Sequence, residues 1–390
     1  MTSASAVPAA SAVPGDRPIA LSQHDFLARS AARPSRRDHA IDIARGIALI
    51  FILYPHYSQV AAALGAIGRA RVPYLSDLQF CDPADFFVFL SGYVYGLVYG
   101  QRAMRDGYRT VVRQTVRRMA QIFRAMVFTV ALCVGLSWLL ITDTAALRAL
   151  DLLSFERSGR EAIANIALLN DSTLFINILA LYLLLLGTAP LFLWGFRRSV
   201  AITGAVSFAI WLLVQLGPLH MTNSWAGMHS FNPFAWQLLF AMGIFLGMQR
   251  GFDTILASLT RSQAIVLSFA CLGFLALRTG IRLSPALAEL VLPVAHKPAF
   301  GPLRLANFIC LVPVFVLAVG WLERQMPVLA NLLARSGALS LEMFCVGVVL
   351  TLLMGVAFLA LGGNLLAYGI VLVAGLALYL VLVIPLEAVS

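Results

Sequence analysis

The sequence predicts an all-α, polytopic membrane protein, a bundle of about ten transmembrane helices. Of its 390 residues, 60% are hydrophobic and only 12% are charged, and the mean hydropathy is +0.87. A soluble domain carries charge on roughly a quarter of its residues. Apolar runs of about 18 residues or more recur along the chain, which is the pattern of spanning segments. These runs are continuously apolar rather than alternating, so helices are favoured over a closed barrel.

Ten apolar runs predict the spanning helices. They cover residues 40–64, 83–100, 119–141, 173–195, 200–217, 234–250, 262–279, 303–322, 338–357 and 365–385. Residues 1–37 are rich in Ala, Ser, Pro and Arg and lack the apolar stretch of a signal peptide, so they predict a disordered basic cytoplasmic arm. Residues 38–390 form a single predicted transmembrane domain, and the stretch 148–170 is typical of an amphipathic helix at the interface.

Charge indicates how the helices are oriented. The formal net charge is +10, nearly all from arginine, and Lys297 is the only lysine. With the N-terminus inside, the cytoplasmic segments hold about twice as many basic residues as the other side, which predicts N-in and C-in. No basic stripe lies on a soluble domain, which argues against nucleic-acid binding. The five cysteines form no CxxC pair, so neither disulfides nor a metal site is expected.

Ionisable residues are costly inside a span and are therefore candidate site residues. Arg45 and His56 lie in the first span, and their spacing, about 1100° of helical rotation, places both on one face roughly 16 Å apart. Asp42 lies one turn before Arg45 and is expected to pair with it, and Pro55 is expected to kink the helix. Arg45 fits a snorkelling anchor as well as a ligand contact. His56 fits a buried structural histidine or a proton acceptor and donor.

The second span begins with Asp85 and carries Ser91 and Tyr93 at mid-membrane. A carboxylate in the first turn complements the helix dipole. Gly92 and Gly96 form a GxxxG pair, which permits close helix approach.

An arginine-rich segment follows, with Arg102 and Arg105 at its start and further arginines up to Arg118. These residues fit two interpretations. They hold the segment on the cytoplasmic side, or they form a cradle for an anionic ligand such as a phosphate.

Two polar clusters are predicted on the outer side. In the segment 220–237, aromatic and amide side chains that include Trp236 and Gln237 suit either sugar binding or an ordinary interfacial belt. The other cluster enters the eighth span and consists of Lys297, Arg304 and Asn307.

These residues, in this order, resemble the membrane acyltransferase family 3. The resemblance rests on Arg45-x10-His56, Ser91-Gly92-Tyr93 and Arg102-x-x-Arg105. Within that superfamily the chain more specifically resembles the OpgC proteins, through the stretches 87–100, 231–247, 297–307 and 340–345. The resemblance covers about residues 36–385.

The resemblance implies a ten-span O-acyltransferase of the bacterial inner membrane. It would move an acyl group, in OpgC proteins succinyl, from a cytoplasmic acyl-CoA such as succinyl-CoA to a periplasmic glucan. His56 would be the catalytic histidine, and Arg45, Arg102 and Arg105 would bind the acyl donor. The other polar residues are predicted to support the site: Asp42, Asp85, Ser91, Tyr93, Trp236, Gln237, Lys297, Arg304 and Asn307.

The chain departs from the family pattern at two positions. Pro55 stands directly before the histidine, and Asn177 stands in the fourth span, where the family pattern has an aspartate at each. An acidic partner would fix the tautomer and basicity of the histidine.

The chemistry also follows from the residue types alone. Acyl transfer to an alcohol needs a base, which His56 supplies, and donors to the carbonyl oxygen, for which Ser91, Tyr93 and Arg304 are candidates. Three alternatives stay open: an acyltransferase acting on another envelope polysaccharide, a proton-coupled transporter, and a non-catalytic membrane protein. The chain shows no internal repeat of the kind found in transporters.

Overall fold

The computed structural model describes residues 39–64, 73–140, 176–219 and 231–389. These residues all fall within one compact unit, 35–390. The predicted arm at 1–37, the predicted interfacial helix at 148–170 and most of the polar segment 220–237 lie outside the described residues.

The described residues fold into helices joined by short connections, with no strand among them. In chain order they are α1 His39–Leu64, α2 Leu75–Leu78, α3 Pro83–Arg105, α4 Tyr108–Leu140, α5 Asn177–Arg198, α6 Val200–Gln215, α7 Pro233–Met248, α8 Gly251–Ser258, α9 Arg261–Leu283, α10 Pro285–Val291, a 3₁₀ turn Leu292–Ala295, α11 Pro302–Gln325, α12 Pro327–Ala338, α13 Ser340–Ala360, α14 Leu365–Val381 and α15 Val383–Val389.

Each of the ten predicted spans contains a helix, and seven of the described segments are long and apolar enough to cross a bilayer. These seven are α1, α4, α5, α9, α11, α13 and Leu365–Glu387. Helices α6 and α7 have only 16 residues each, or about 24 Å, which is less than a hydrocarbon core of about 30 Å. Helix α3 is not among the seven because its glycines, tyrosines and charged ends lower its mean hydropathy. The chain is thus a multi-pass helical membrane protein, and the count of ten and the N-in, C-in orientation stay predictions.

The arginine-rich segment between the second and third predicted spans is helical rather than a loop. Helix α3 continues to Arg105, and α4 begins at Tyr108 after a turn in which Gly107 has φ of +80°. Helix α4 has 33 residues, or about 50 Å, so it exceeds the hydrocarbon thickness. The helix was predicted to begin at 119. The missed portion is amphipathic, and apolar runs alone do not detect an amphipathic extension.

Helices α3 and α7 make the most extensive helix–helix contact among the described residues. Gly92 and Gly96 of α3 lie against the α7 backbone, and Gly243 and Gly247 of α7 make the reciprocal contact with α3. A Cβ at any of the four would collide with a backbone carbonyl of the opposite helix. The GxxxG pair predicted in the second span therefore does permit close helix approach, and α7 supplies a matching pair.

Helices α1 and α12 form a second close contact. Gly46 of α1 lies against the backbone of Leu333, and Gly337 of α12 lies against the backbone of Asp42. The first span, which carries His56, is therefore held on one side by a helix that it meets backbone to backbone.

Substituting Gly96 by alanine is expected to destabilise the protein by about 1–3 kcal/mol, because the new methyl group meets the Ile244 carbonyl and the two backbones must separate. Gly273→Ala is the matched control, since its Cβ would meet no atom within 4 Å. It should change stability by less than about 1 kcal/mol, in the stabilising direction, through helix propensity. Thermal unfolding of the two purified variants in detergent checks this, and equal midpoints would contradict the packing argument.

Candidate functional site

A cavity of about 810 Å³ opens beside His56. At about 30 Å³ per molecule it has room for on the order of twenty-five waters. Its wall comes from the second half of α1, the starts of α3, α5 and α11, the end of α9 and the connections near them. The polar and charged side chains among its lining are His56, Gln59, Tyr74, Ser76, Asp82, Asn177, Arg278, His296, Lys297 and Arg304.

The cavity lies where several helices begin. Asp82 caps α3 by accepting a hydrogen bond from the Ala84 N–H at 2.9 Å, and Asp85 returns a capping-box bond from the Asp82 N–H at 2.8 Å. Asn177 is the first residue of α5, and Arg304 lies in the first turn of α11. Helix N-termini carry a partial positive charge, so the backbone adds positive potential to this wall.

Four charged side chains form one network at the cavity wall. Arg304 is 4% exposed and its Nη2 lies 2.9 Å from Asp82 Oδ2 and 2.9 Å from Asp85 Oδ2, while its Nε donates to Asp85 Oδ1 at 3.1 Å. The Lys297 Nζ lies 2.7 Å from Asp82 Oδ2, and its side chain is 43% exposed. Burial alone would raise the pKa of Asp82, but Lys297 and Arg304 outweigh it and hold that pKa well below its ordinary value. Asp82 is therefore ionised and bridges the two cations.

Aromatic side chains fix this network in place. The Lys297 ammonium lies 4.9 Å from the centre of the Phe231 ring, and the Arg304 guanidinium lies 5.8 Å from that of Trp236. Trp236 is fully buried, and its Nε1 donates to the carbonyls of Lys297 at 3.3 Å and Pro298 at 3.1 Å. Trp236 therefore holds the backbone that presents the lysine, and its ring is enclosed by protein.

Asn307 holds the segment that leads into α3. Its Oδ1 accepts hydrogen bonds from the backbone N–H groups of Phe80 at 2.9 Å and Cys81 at 3.2 Å. Its Nδ2 donates to Gln79 Oε1 at 2.8 Å. Lys297, Arg304 and Asn307, predicted as one cluster, thus all contact the short stretch 79–85, which contains the start of α3.

The predicted donor-binding arginines lie away from this cavity. Arg45 is 3.5 Å from Asp42, as the sequence predicts, and stands about 16 Å from His56 along α1. Arg102 donates to Gln114 Oε1 at 2.9 Å, and Arg105 is exposed and 3.5 Å from Asp106. Since α3 starts at the cavity, its last turn lies some 26 Å away. None of the three arginines lines the cavity.

Three other predicted residues bond within their own helix or to a neighbouring helix and do not line the cavity. Ser91 Oγ donates to the Phe87 carbonyl at 2.7 Å, and the Tyr93 hydroxyl accepts from the Phe252 N–H at 3.2 Å. Gln237 is paired with Ser207 on α6 through two bonds of 2.7 Å. Of the three side chains considered as donors to a carbonyl oxygen, Arg304 is the one that lines the cavity.

Sequence reasoning missed several lining residues. Asp82 stands where a helix start is expected in the sequence and has no further signal there, and Arg278, His296 and Gln59 carry no local signal. Pro55 and Asn177, the two departures from the family pattern, both line the cavity beside His56. The two positions at which the chain departs from the family pattern therefore lie at the site, although neither residue supplies the carboxylate that the pattern has there. Among the described lining residues the carboxylate is Asp82.

Fold and site together define a class: a multi-pass helical membrane protein with a histidine and an ion network around a wide polar cavity. The OpgC protein family model matches residues 37–390, and the chain belongs to that family. Family membership implies a transferase that modifies glucans. Neither curated proteins nor solved structures gave a significant match.

The buried network leads to a stability prediction. Asp85→Asn removes the fully buried partner of Arg304 and is expected to cost about 3 kcal/mol or more, because a buried guanidinium then lacks a full counter-charge. The matched control is Glu387→Gln, which breaks the exposed pair with Arg335 and should change stability little. Thermal unfolding in detergent measures both, and equal losses would contradict the role given to Asp85.

Proposed function

We propose that the protein is an inner-membrane O-acyltransferase that esterifies a periplasmic glucan with succinyl groups drawn from a cytoplasmic acyl-CoA. The observation that carries the proposal is the position of His56, the candidate base, on the wall of a cavity wide enough for a sugar acceptor. Membership in the OpgC family supplies the glucan as acceptor class.

The reaction needs one proton acceptor and charge stabilisation. A glucan hydroxyl loses its proton to His56 and its oxygen attacks the thioester carbonyl carbon. The C–O ester bond forms, the C–S bond breaks, and the proton passes from the imidazole to the leaving sulfur. The carbonyl oxygen becomes negative on the way. Arg304 lines the same cavity as His56 and supplies positive charge for that oxygen.

The arginines at one end of α3 and the candidate base His56 beside its other end suit a reaction that crosses the bilayer. Arg102 and Arg105 end α3 at the far end from the cavity, and further arginines follow in the first turns of α4. Guanidinium groups bind phosphates in bidentate fashion, as the phosphates of CoA require. Arg45 lies between the two ends, on the same helix as His56. We therefore assign the donor phosphates to the arginine end and the acceptor to the cavity end.

His56→Ala is expected to abolish glucan esterification, by at least about a hundredfold, since it removes the proton acceptor. Wild type and variant would be expressed in a bacterial strain that lacks its own glucan acyltransferase. Extracted glucans would be examined for anionic charge and ester groups by chromatography and mass spectrometry.

Equal membrane abundance of the two proteins is the control for that comparison. Esters formed by the variant at the wild-type level would remove His56 from the reaction. Unmodified glucans from the wild type would rule out the glucan as acceptor, and the same assay on lipopolysaccharide and exopolysaccharide would then identify another acceptor or show that the chain transfers no acyl group.

Arg102→Gln with Arg105→Gln is expected to raise the KM for acyl-CoA at least about tenfold, because charge-assisted bonds to phosphate are lost, and to leave kcat less affected. Arg324→Gln serves as the matched control, since Arg324 is an exposed arginine in the last turn of α11. Initial rates in membrane vesicles at varied donor concentration measure the effect. Equal changes in both variants would mean that surface charge, rather than a donor site, is responsible.

A further inference from the structure

The described charges that line the cavity do not balance. Arg278, Lys297 and Arg304 are cations, Asp82 is the lining carboxylate, and Asp85 lies behind the wall against Arg304. Three positive charges therefore face two negative ones. The start of α5 adds positive potential, because Ile176, its N-cap residue, makes no side-chain capping bond and Asn177 and Ile178 line the cavity. The cavity favours an anion, whereas the hydroxyl group of a glucan is neutral.

Lys297 is the cation most able to meet a ligand. Its side chain is 43% exposed, compared with 4% for Arg304. One edge of the Arg278 guanidinium is already engaged, since its Nε and Nη2 both donate to the Ser76 carbonyl, at 3.1 and 2.9 Å. The partner of Lys297, Asp82, is shared with Arg304 at 2.9 Å, so Asp82 keeps a direct contact with a cation when the lysine turns toward a second anion.

Lys297 lies in the same cavity as the proposed base. His56, Lys297 and its partner Asp82 all contribute to the lining. An acyl group whose carbonyl is attacked next to His56 would extend its far end toward this wall. If that far end is a carboxylate, it meets the excess positive charge.

We propose that Lys297 is the specificity-determining residue that binds the terminal carboxylate of a dicarboxylic acyl group and so selects succinyl-like chains over neutral ones. This inference rests on the proposed acyltransferase function and deepens it. Lys297 acts on the identity of the acyl group and not on the proton transfer, which belongs to His56. A single charge-assisted contact is enough to discriminate by about tenfold.

The test compares acyl groups on one neutral acceptor. Membrane vesicles containing wild type, Lys297→Gln or Lys297→Arg would receive succinyl-CoA or acetyl-CoA together with an unsubstituted glucan, and the ratio of succinyl to acetyl esters would be measured by mass spectrometry. Lys297→Gln should lower this ratio at least about tenfold, and Lys297→Arg should largely restore it. Arg324→Gln makes a comparable loss of charge away from the cavity and should leave the ratio unchanged.

Two results would overturn the proposal: an unchanged ratio in Lys297→Gln, or a proportional fall in both esters. The second result would place the bound anion on the acceptor or give the lysine a purely structural role. If wild type forms neither ester, the acyltransferase function itself fails, and a binding measurement then decides the question of the anion site.

That measurement uses the fact that the chain contains one lysine. Purified protein would be treated with an amine-reactive reagent, and modification of Lys297 followed by peptide mass spectrometry. Monomethyl succinate, which carries a carboxylate, should slow the modification, while methyl butyrate, its neutral counterpart, should not. Equal rates with both compounds would show that no carboxylate site exists at Lys297, whatever the outcome of the transfer assay.

Discussion

The ion network centred on Arg304 organises this protein. A guanidinium that is 4% exposed contacts two carboxylates, Asp82 and Asp85, that stand at the start of a different helix. Isolated charges are costly to bury, and pairing with complete hydrogen bonding offsets that cost. The network therefore requires the starts of α3 and α11 to meet, and this meeting forms one wall of the cavity. Lys297 extends the network to the cavity surface.

Glycines that lie against the backbone of a neighbouring helix fix the spacing of helices along the bundle. In lipid there is no hydrophobic drive to bring helices together, so close packing must supply the attraction. The paired glycines of α3 and α7 and of α1 and α12 provide it. Helix α1 presents His56, and α3 begins directly after Asp82. His56 therefore lies in, and Asp82 caps, a helix that packs backbone to backbone against a neighbouring helix.

The chemistry inferred for the site follows from its asymmetry. Arginines gather where α3 ends and α4 begins, while the cavity, the histidine and the ion network lie where α3 starts. An acyl donor with phosphates suits the first end, and a sugar acceptor suits the second. The excess positive charge at the cavity adds a requirement that a neutral acceptor does not explain, and a carboxylate on the acyl group satisfies it.

The sequence by itself determined the class of the protein and the approximate location of its longer helices, and it proposed His56 as the base, because spanning segments and charges within them follow from the cost of polar groups in hydrocarbon. It also grouped Lys297, Arg304 and Asn307, which are close along the chain. Only the tertiary structure joined Lys297 and Arg304 to Asp82, brought Arg278 and Asn177 to the same cavity, and separated Ser91, Tyr93 and Gln237 from it. Such pairings depend on which helix faces which, and that is decided by packing between residues that are distant in the sequence, as Lys297 and Asp82 are.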